Sequence, residues 1–175
     1  MRTHVYIGTS LDGYIARKDG DIDWLVKFES GVGEDYAEFI SKIDAIVIGR
    51  GTFDAVLAFP SWPYDKIVFV LSSSMKEVPA NVRDKVTILS MQPKELLIYL
   101  AKEGFSNIYV DGGNVIQGFL KEDCIDEINI TKAPVLIGSG ISLFGQLDTD
   151  LLFEHLQTKV FPNGLVKSRY ERKRV

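Results

Sequence analysis

Asn107-Ile108-Tyr109-Val110-Asp111-Gly112-Gly113-Asn114-Val115-Ile116 is the stretch from which the architecture of this chain can be reasoned. Its first four residues end in an unbroken apolar run rich in β-branched and aromatic side chains, which predicts a strand covered on both faces. The run ends at Asp111-Gly112-Gly113, and an apolar segment from Val115 to Leu120 resumes at once as a short helix. A buried strand that passes through glycines into a helix is half of a parallel βαβ unit.

The same pattern recurs upstream. Ala45-Ile46-Val47-Ile48 ends at Gly49, and Ile67-Val68-Phe69-Val70-Leu71 ends at Ser72-Ser73-Ser74. Helical segments separate these runs. Pro93 to Glu103 places Leu96, Leu97 and Leu100 at helical spacing with Gly104 as a stop, and residues 34–42 do the same with Tyr36, Phe39 and Ile40. Val5 to Ser10 predicts a first strand, followed by a turn at Leu11-Asp12-Gly13. The final third differs: Ile125 to Thr131 alternates, and Phe153–Phe161 and Leu165–Arg172 flank Pro162-Asn163-Gly164, a hairpin signal. The reading is an α/β fold in three layers (α/β/α), with a mostly parallel central sheet and an antiparallel C-terminal hairpin, in a single domain spanning residues 1–175.

Composition bounds the partners. The 175 residues are 46% hydrophobic and 25% charged, ordinary for a globular chain. A net charge of −4 argues against sequence-independent nucleic-acid binding. No stretch approaches the apolar length of a membrane span or a signal peptide. One cysteine, Cys124, excludes an internal disulfide, and with His4 and His155 as the two histidines a zinc site is not expected. A cytoplasmic protein is expected, with no metal, no membrane and no nucleic acid among its partners.

Three predicted strands leave the sheet through glycine- or serine-rich turns: Gly49-Arg50-Gly51-Thr52, Leu71-Ser72-Ser73-Ser74 and Gly112-Gly113-Asn114. In open α/β sheets ligands bind at the carboxyl ends of strands. Glycines there let backbone N–H groups approach a phosphate, and a following helix adds its positive end. Backbone donors, hydroxyls and one guanidinium together suit a phosphate-bearing nucleotide, although each turn alone also reads as a plain strand exit. Gly113 is expected to hold a positive φ. No G-x-x-x-x-G-K-[ST] occurs, and Leu143 stands where a G-x-G-x-x-G begun at Gly138 needs its last glycine. No Ser/His/Asp triad is readable.

In chain order, Ser10-Leu11-Asp12-Gly13-Tyr14-Ile15-Ala16, Asp23-Trp24-Leu25, Ile48-Gly49-Arg50-Gly51-Thr52-Phe53, Val70-Leu71-Ser72-Ser73, Asp111-Gly112-Gly113-Asn114 and Ala133-Pro134-Val135-Leu136-Ile137-Gly138 form a recognisable series. Together they resemble the dihydrofolate reductase-like superfamily, most nearly the branch of riboflavin-biosynthesis reductase domains (RibD C-terminal-like) and their stand-alone relatives. The resemblance covers about residues 4 to 172 and implies an NADPH-binding reductase. It implies that Gly49, Arg50, Gly51 and Thr52 hold cofactor phosphates, with Arg50 near the 2′-phosphate. Leu71, Ser72 and Ser73 would border the same phosphate and the adenine. Gly112, Gly113, Asn114, Val115 and Ile116 would receive the pyrophosphate, and Gly8, Ile15 and Ala16 would neighbour the nicotinamide.

On the substrate side the resemblance implies Trp24, Phe53 and Thr131, with a core role for Trp24 as the other reading. Asp35 matches the substrate-protonating acid in the first turn of the helix after the tryptophan. Glu34 is one residue away, and an acid in a first turn also answers the helix dipole. Pro63-Tyr64-Asp65-Lys66 stands where folate reductases carry an arginine for a carboxylate, and lysine lacks that planar fork, so folate is not expected. The implied substrate is a small polar molecule, pterin-like or a ribosylated aminopyrimidine. A nucleotide-binding protein that retains the cleft without turnover is the alternative. NADPH is expected over NADH because Arg50, Ser72 and Ser73 have no acidic residue beside them in sequence. The resemblance also implies a homodimer.

Overall fold

A computed structural model describes residues 1–28 and 33–174. The elements run β1 (Arg2–Thr9), β2 (Tyr14–Ala16), α1 (Asp23–Val26), α2 (Gly33–Ser41), β3 (Ala45–Gly49), α3 (Arg50–Leu57), β4 (Ile67–Leu71), β5 (Val86–Leu89), α4 (Pro93–Lys102) and β6 (Asn107–Asp111). They continue as α5 (Gly113–Lys121), β7 (Glu127–Lys132), β8 (Ile141–Ser142), β9 (Phe153–Val160) and β10 (Val166–Arg172). The main sheet has eight strands in the order β5-β4-β3-β6-β1-β7-β10-β9, and β2 pairs with β8 as a separate ribbon. β5 through β7 are mutually parallel, and β10 turns antiparallel against β7 and β9.

Helices cover both faces, which explains the apolar runs. Along β3, Ala45 and Val47 join the core built with Leu96 and Leu100 of α4 and Ile116 and Phe119 of α5. Ile46 and Ile48 point the other way, into the core with Phe53 and Val56 of α3 and Phe39 of α2. A strand between two helical layers has no wet face on which to place polar residues. This is the α/β/α arrangement expected from the sequence, including the C-terminal hairpin around Gly164, which holds φ +89.

Several elements lie outside the sequence reading, β5, α1, α3 and β8 among them. β5 is four residues long after a loop, too short to show a period, and it pairs only with β4. α3 begins inside the Gly49-Arg50-Gly51-Thr52 segment, so that turn is the first turn of a helix. The alternation in β7 sorts its side chains by face: Ile128 enters the α4–α5 core, while Glu127 and Asn129 line a polar cavity on the α2 side.

Candidate active site

The parallel order brings the three turns together. Ile48 of β3 lies opposite Asp111 of β6, and Gly49 opposite Leu71 of β4, so the strands end side by side. The glycines permit close contact between turns. A Cβ on Gly49 would fall 2.9 Å from Val115 Cγ2, and one on Gly112 would fall 2.3 Å from Thr52 Oγ1. A Cβ on Gly113 would meet Ile15 Cδ1 at 3.0 Å and the Ser142 carbonyl at 3.3 Å, so the β2–β8 ribbon covers the start of α5. The left-handed residue is Gly112, at φ +91, and not Gly113 as the sequence suggested. The second glycine serves close packing instead.

The residues here fit a phosphate-bearing cofactor. α3 and α5 both start at this end of the sheet, and neither N-cap residue offers a side-chain hydrogen bond to its first turn. Their leading N–H groups supply donors and a positive end. Gly51 is open, with nothing within 4 Å of a built Cβ, and Asn114 is exposed. Val115 and Ile116 are buried and hold the helix to the sheet. Ser72 Oγ accepts from the N–H groups of Ser74 and Met75, at 3.3 and 3.0 Å, while Ser73 is exposed. Arg50 is already paired: its Nε donates to Asp54 at 3.0 Å, one helical turn on. The expectation that no acid stands beside Arg50 is therefore corrected, because helical spacing brings in a residue four positions away.

A second group of implied residues, between α2 and the C-terminal hairpin, is charged. Asp35 lies in the first turn of α2 with its side chain only 9% exposed, whereas Glu34 is exposed. Lys159 Nζ donates to Asp35 Oδ1 at 2.9 Å, and Lys167 Nζ and the Tyr6 hydroxyl both donate to Oδ2. Burial alone would raise this carboxyl, but the two ammonium groups outweigh it and hold Asp35 below the usual carboxylate range. Burial, then the adjacent Asp35, pushes the Tyr6 phenol up. Below Asp35 a cavity of about 300 Å³ runs between α2 and the sheet, lined by His4, Glu127, Asn129 and Arg169 among others. Thr131 is buried on β7, opposite Gly8 on one side and Lys167 on the other.

Other implied residues sit deeper. A Cβ on Gly8 would fall 2.8 Å from Leu25 Cδ2, so Leu25 covers the strand there. Ala16 is buried. Trp24 is 2% exposed and packs with Ala133, Phe161 and Leu165; its Nε1 has no hydrogen-bond partner. Phe53 is 1% exposed and edge-on to Trp62, so its side chain offers the cleft no surface.

Several residues of this site carry no site role in the sequence reading, Tyr6 and Arg169 among them. Lys159 and Lys167 carry no local signal, and only the hairpin register places them against α2. Asp111 does carry one, as an acid at the end of a doubly covered strand. Its Oδ1 accepts from the Gly112 N–H at 2.8 Å. Burial pushes this carboxyl up to about 6, and the Gly112 N–H and Tyr109 hydroxyl offset only part of that.

Comparison with known proteins agrees with this geometry. The uncharacterized protein YwjB of Bacillus subtilis is 38% identical over 164 residues, covering 91% of this chain and 92% of its own. The crystal structure of a putative riboflavin biosynthesis protein from Shewanella sp. PV-4 is 44% identical, with a TM-score of 0.94 over 99% of this chain and 100% of its own. A dihydrofolate reductase from Enterococcus faecalis, complexed with NADP(H), shares the fold at a TM-score of 0.68 and 17% identity, over 99% of this chain and 97% of its own. The RibD C-terminal domain family matches residues 4–167, and this chain, with its dihydrofolate reductase-like fold and three converging strand-end turns, belongs to that family.

Proposed function

We propose that this chain is an NADPH-dependent reductase of a small polar substrate, pterin-like or a ribosylated aminopyrimidine. The observation that supports the reading is the close approach of Gly112 to Thr52 and of Gly49 to Val115, which brings two helix N-termini side by side. The cofactor, when bound, supplies the hydride. The protein supplies position, exclusion of water and charge.

In this reading the first turns of α3 and α5 bind the cofactor's phosphates. Arg50 leaves Asp54 for the 2′-phosphate, and Ser72 and Ser73 border it. Ile15 and the β2–β8 ribbon exclude water from the Gly113 side. Between α2 and the hairpin Asp35 is ionised, so as it stands it orients Lys167 and Lys159 rather than donating a proton. The ammonium groups and Arg169 provide cationic partners for a phosphate or a developing negative charge on the substrate. Its proton-donor role implied by the resemblance requires that substrate binding displace a lysine and raise its pKa.

Following NADPH oxidation at 340 nm against pterin and ribosylated aminopyrimidine substrates, beside fluorescence titration of NADPH, tests the reading. Turnover with any of them supports it. Binding without turnover favours the alternative, a nucleotide-binding protein, which the saturated hydrogen bonding of Asp35 also favours. No NADPH binding overturns both.

A homodimer is part of the proposal. β9 is an eight-residue edge strand with an unpaired outer side. Phe144 and Leu147 line an apolar groove beside Val166 and Tyr170 of β10. Sedimentation equilibrium checks this: a monomer at every concentration removes the dimer.

A further inference from the structure

Asp111 sits where the proposed cofactor site has least tolerance for a negative charge. It ends β6 one residue before the turn that would receive the pyrophosphate. Its Oδ1 already holds the Gly112 N–H at 2.8 Å, a donor of that same turn. Gly112 is in the left-handed region, and Thr52 Oγ1 fills the place of its missing Cβ. The turn therefore has little room to move away from the carboxylate.

The groups around Asp111 supply no countercharge. From its own strand comes Tyr109, whose hydroxyl donates to the Tyr6 carbonyl at 2.9 Å and lies close to the carboxylate. From α2 comes Tyr36, and from the segment before β4 comes Tyr64; burial, then the charge of Asp111, raises both phenols. Asp65 also acts on Tyr36 and adds more negative charge. On α3 the nearest charged pair, Arg50 and Asp54, is closed on itself. Among the described residues no cation is an ion-pair partner of Asp111.

We propose that Asp111 is a positioning residue whose proton is linked to the cofactor: binding a dinucleotide at the Gly112–Gly113 turn makes the carboxyl take up a proton. The inference rests on the nucleotide reading above. Neutral Asp111 still accepts the Gly112 N–H through its carbonyl oxygen, so the turn keeps its shape while one of two facing anions disappears. Ionised Asp111 repels the pyrophosphate and competes for its donor. Since burial already lifts this group to about 6, a bound diphosphate lifts it further into the neutral range. Affinity then falls as pH rises through that interval, by at most tenfold per pH unit.

The test is fluorescence titration of NADPH against the intact chain and Asp111→Asn from pH 5.5 to 8. Asparagine keeps the acceptor and removes the charge. The ligand's own 2′-phosphate titrates in this range, and it cancels in the ratio of the two dissociation constants. The expected ratio of intact chain to variant rises by about tenfold or more between pH 5.5 and 8, with the variant binding more tightly at pH 8. Calorimetric titration of the intact chain at pH 7, in two buffers of different ionisation enthalpy, should show net proton uptake beyond that of the phosphate. This second measurement stands even if the variant fails to fold. Binding with a constant ratio, or with no extra proton uptake, overturns the inference and leaves the nucleotide reading intact. Failure of both proteins to bind NADPH at any pH overturns both.

Discussion

The two parts of the candidate site, the wall of strand-end turns and the charged wall between α2 and the hairpin, hold one aspartate each, and the molecule treats them in opposite ways. Asp35 meets two ammonium groups and a phenol, and is held ionised. Asp111 meets glycine and tyrosines, and burial drives it toward the neutral form. Both are aspartates at the end of a regular element. The difference shows that a carboxylate's state depends on what other elements bring to it, not on its place along the chain. It also divides labour: one wall is built by tight backbone turns, the other by long charged side chains.

The turn wall should fail hardest. Gly112→Ala places a Cβ at φ +91 and 2.3 Å from Thr52 Oγ1. Strain and overlap together should destabilise the fold by about 3 kcal/mol or more and abolish NADPH binding. Thermal unfolding and titration of the variant check this; a variant as stable as the parent would mean that the turn is not tightly built. Gly113→Val should also lose stability, because its side chain would press on Ile15 and the Ser142 carbonyl.

The charged wall should fail chemically first. Asp35→Asn leaves Lys167 and Lys159 without their anion, and turnover should fall roughly a hundredfold with little change in NADPH affinity. Stability should fall by about 1–3 kcal/mol. The folded-state carboxyl is depressed, so its contribution is present above the ordinary aspartate range and is lost as pH falls through the folded value. The gap between parent and variant should thus close in acid. Unchanged turnover would remove Asp35 from the reaction.

Asp111→Asn should do the reverse. Its folded value, about 6, lies above the ordinary 3.8, so the group costs the fold stability as pH rises from 3.8 to about 6, and the cost is complete above that. The variant should gain about 3 kcal/mol at pH 8 and nothing below pH 4. Denaturation midpoints at the two pH values decide it. A variant less stable at pH 8 would show that the charge is welcome there, and the contrast between the walls would collapse.

The smallest effect concerns cofactor choice. Arg50→Ala should weaken NADPH about tenfold more than NADH, a modest preference because Asp54 competes for the guanidinium. Asp54→Asn should strengthen NADPH by a few-fold. Equal effects on both cofactors would take Arg50 away from the 2′-phosphate.

Much of this was legible in the amino-acid order. Whether a strand is covered on one face or both is written in the period of its own side chains, so β3, β4 and β6 could be read residue by residue. Glycine turns announce themselves because other residues cannot take their place. β5 escaped because four residues carry too little period. The state of the site was settled elsewhere. Lys159 and Lys167 reach Asp35 across 124 and 132 residues of chain, and the hairpin register alone decides which of their faces meets α2. The surroundings of Asp111 are assembled in the same way, because Tyr36 and Tyr64, which feel its charge, come from segments far from it in sequence. Local patterns determine which elements form and which face each buries. Charge state acts through a few ångströms of space, and only the packed chain determines what lies within them.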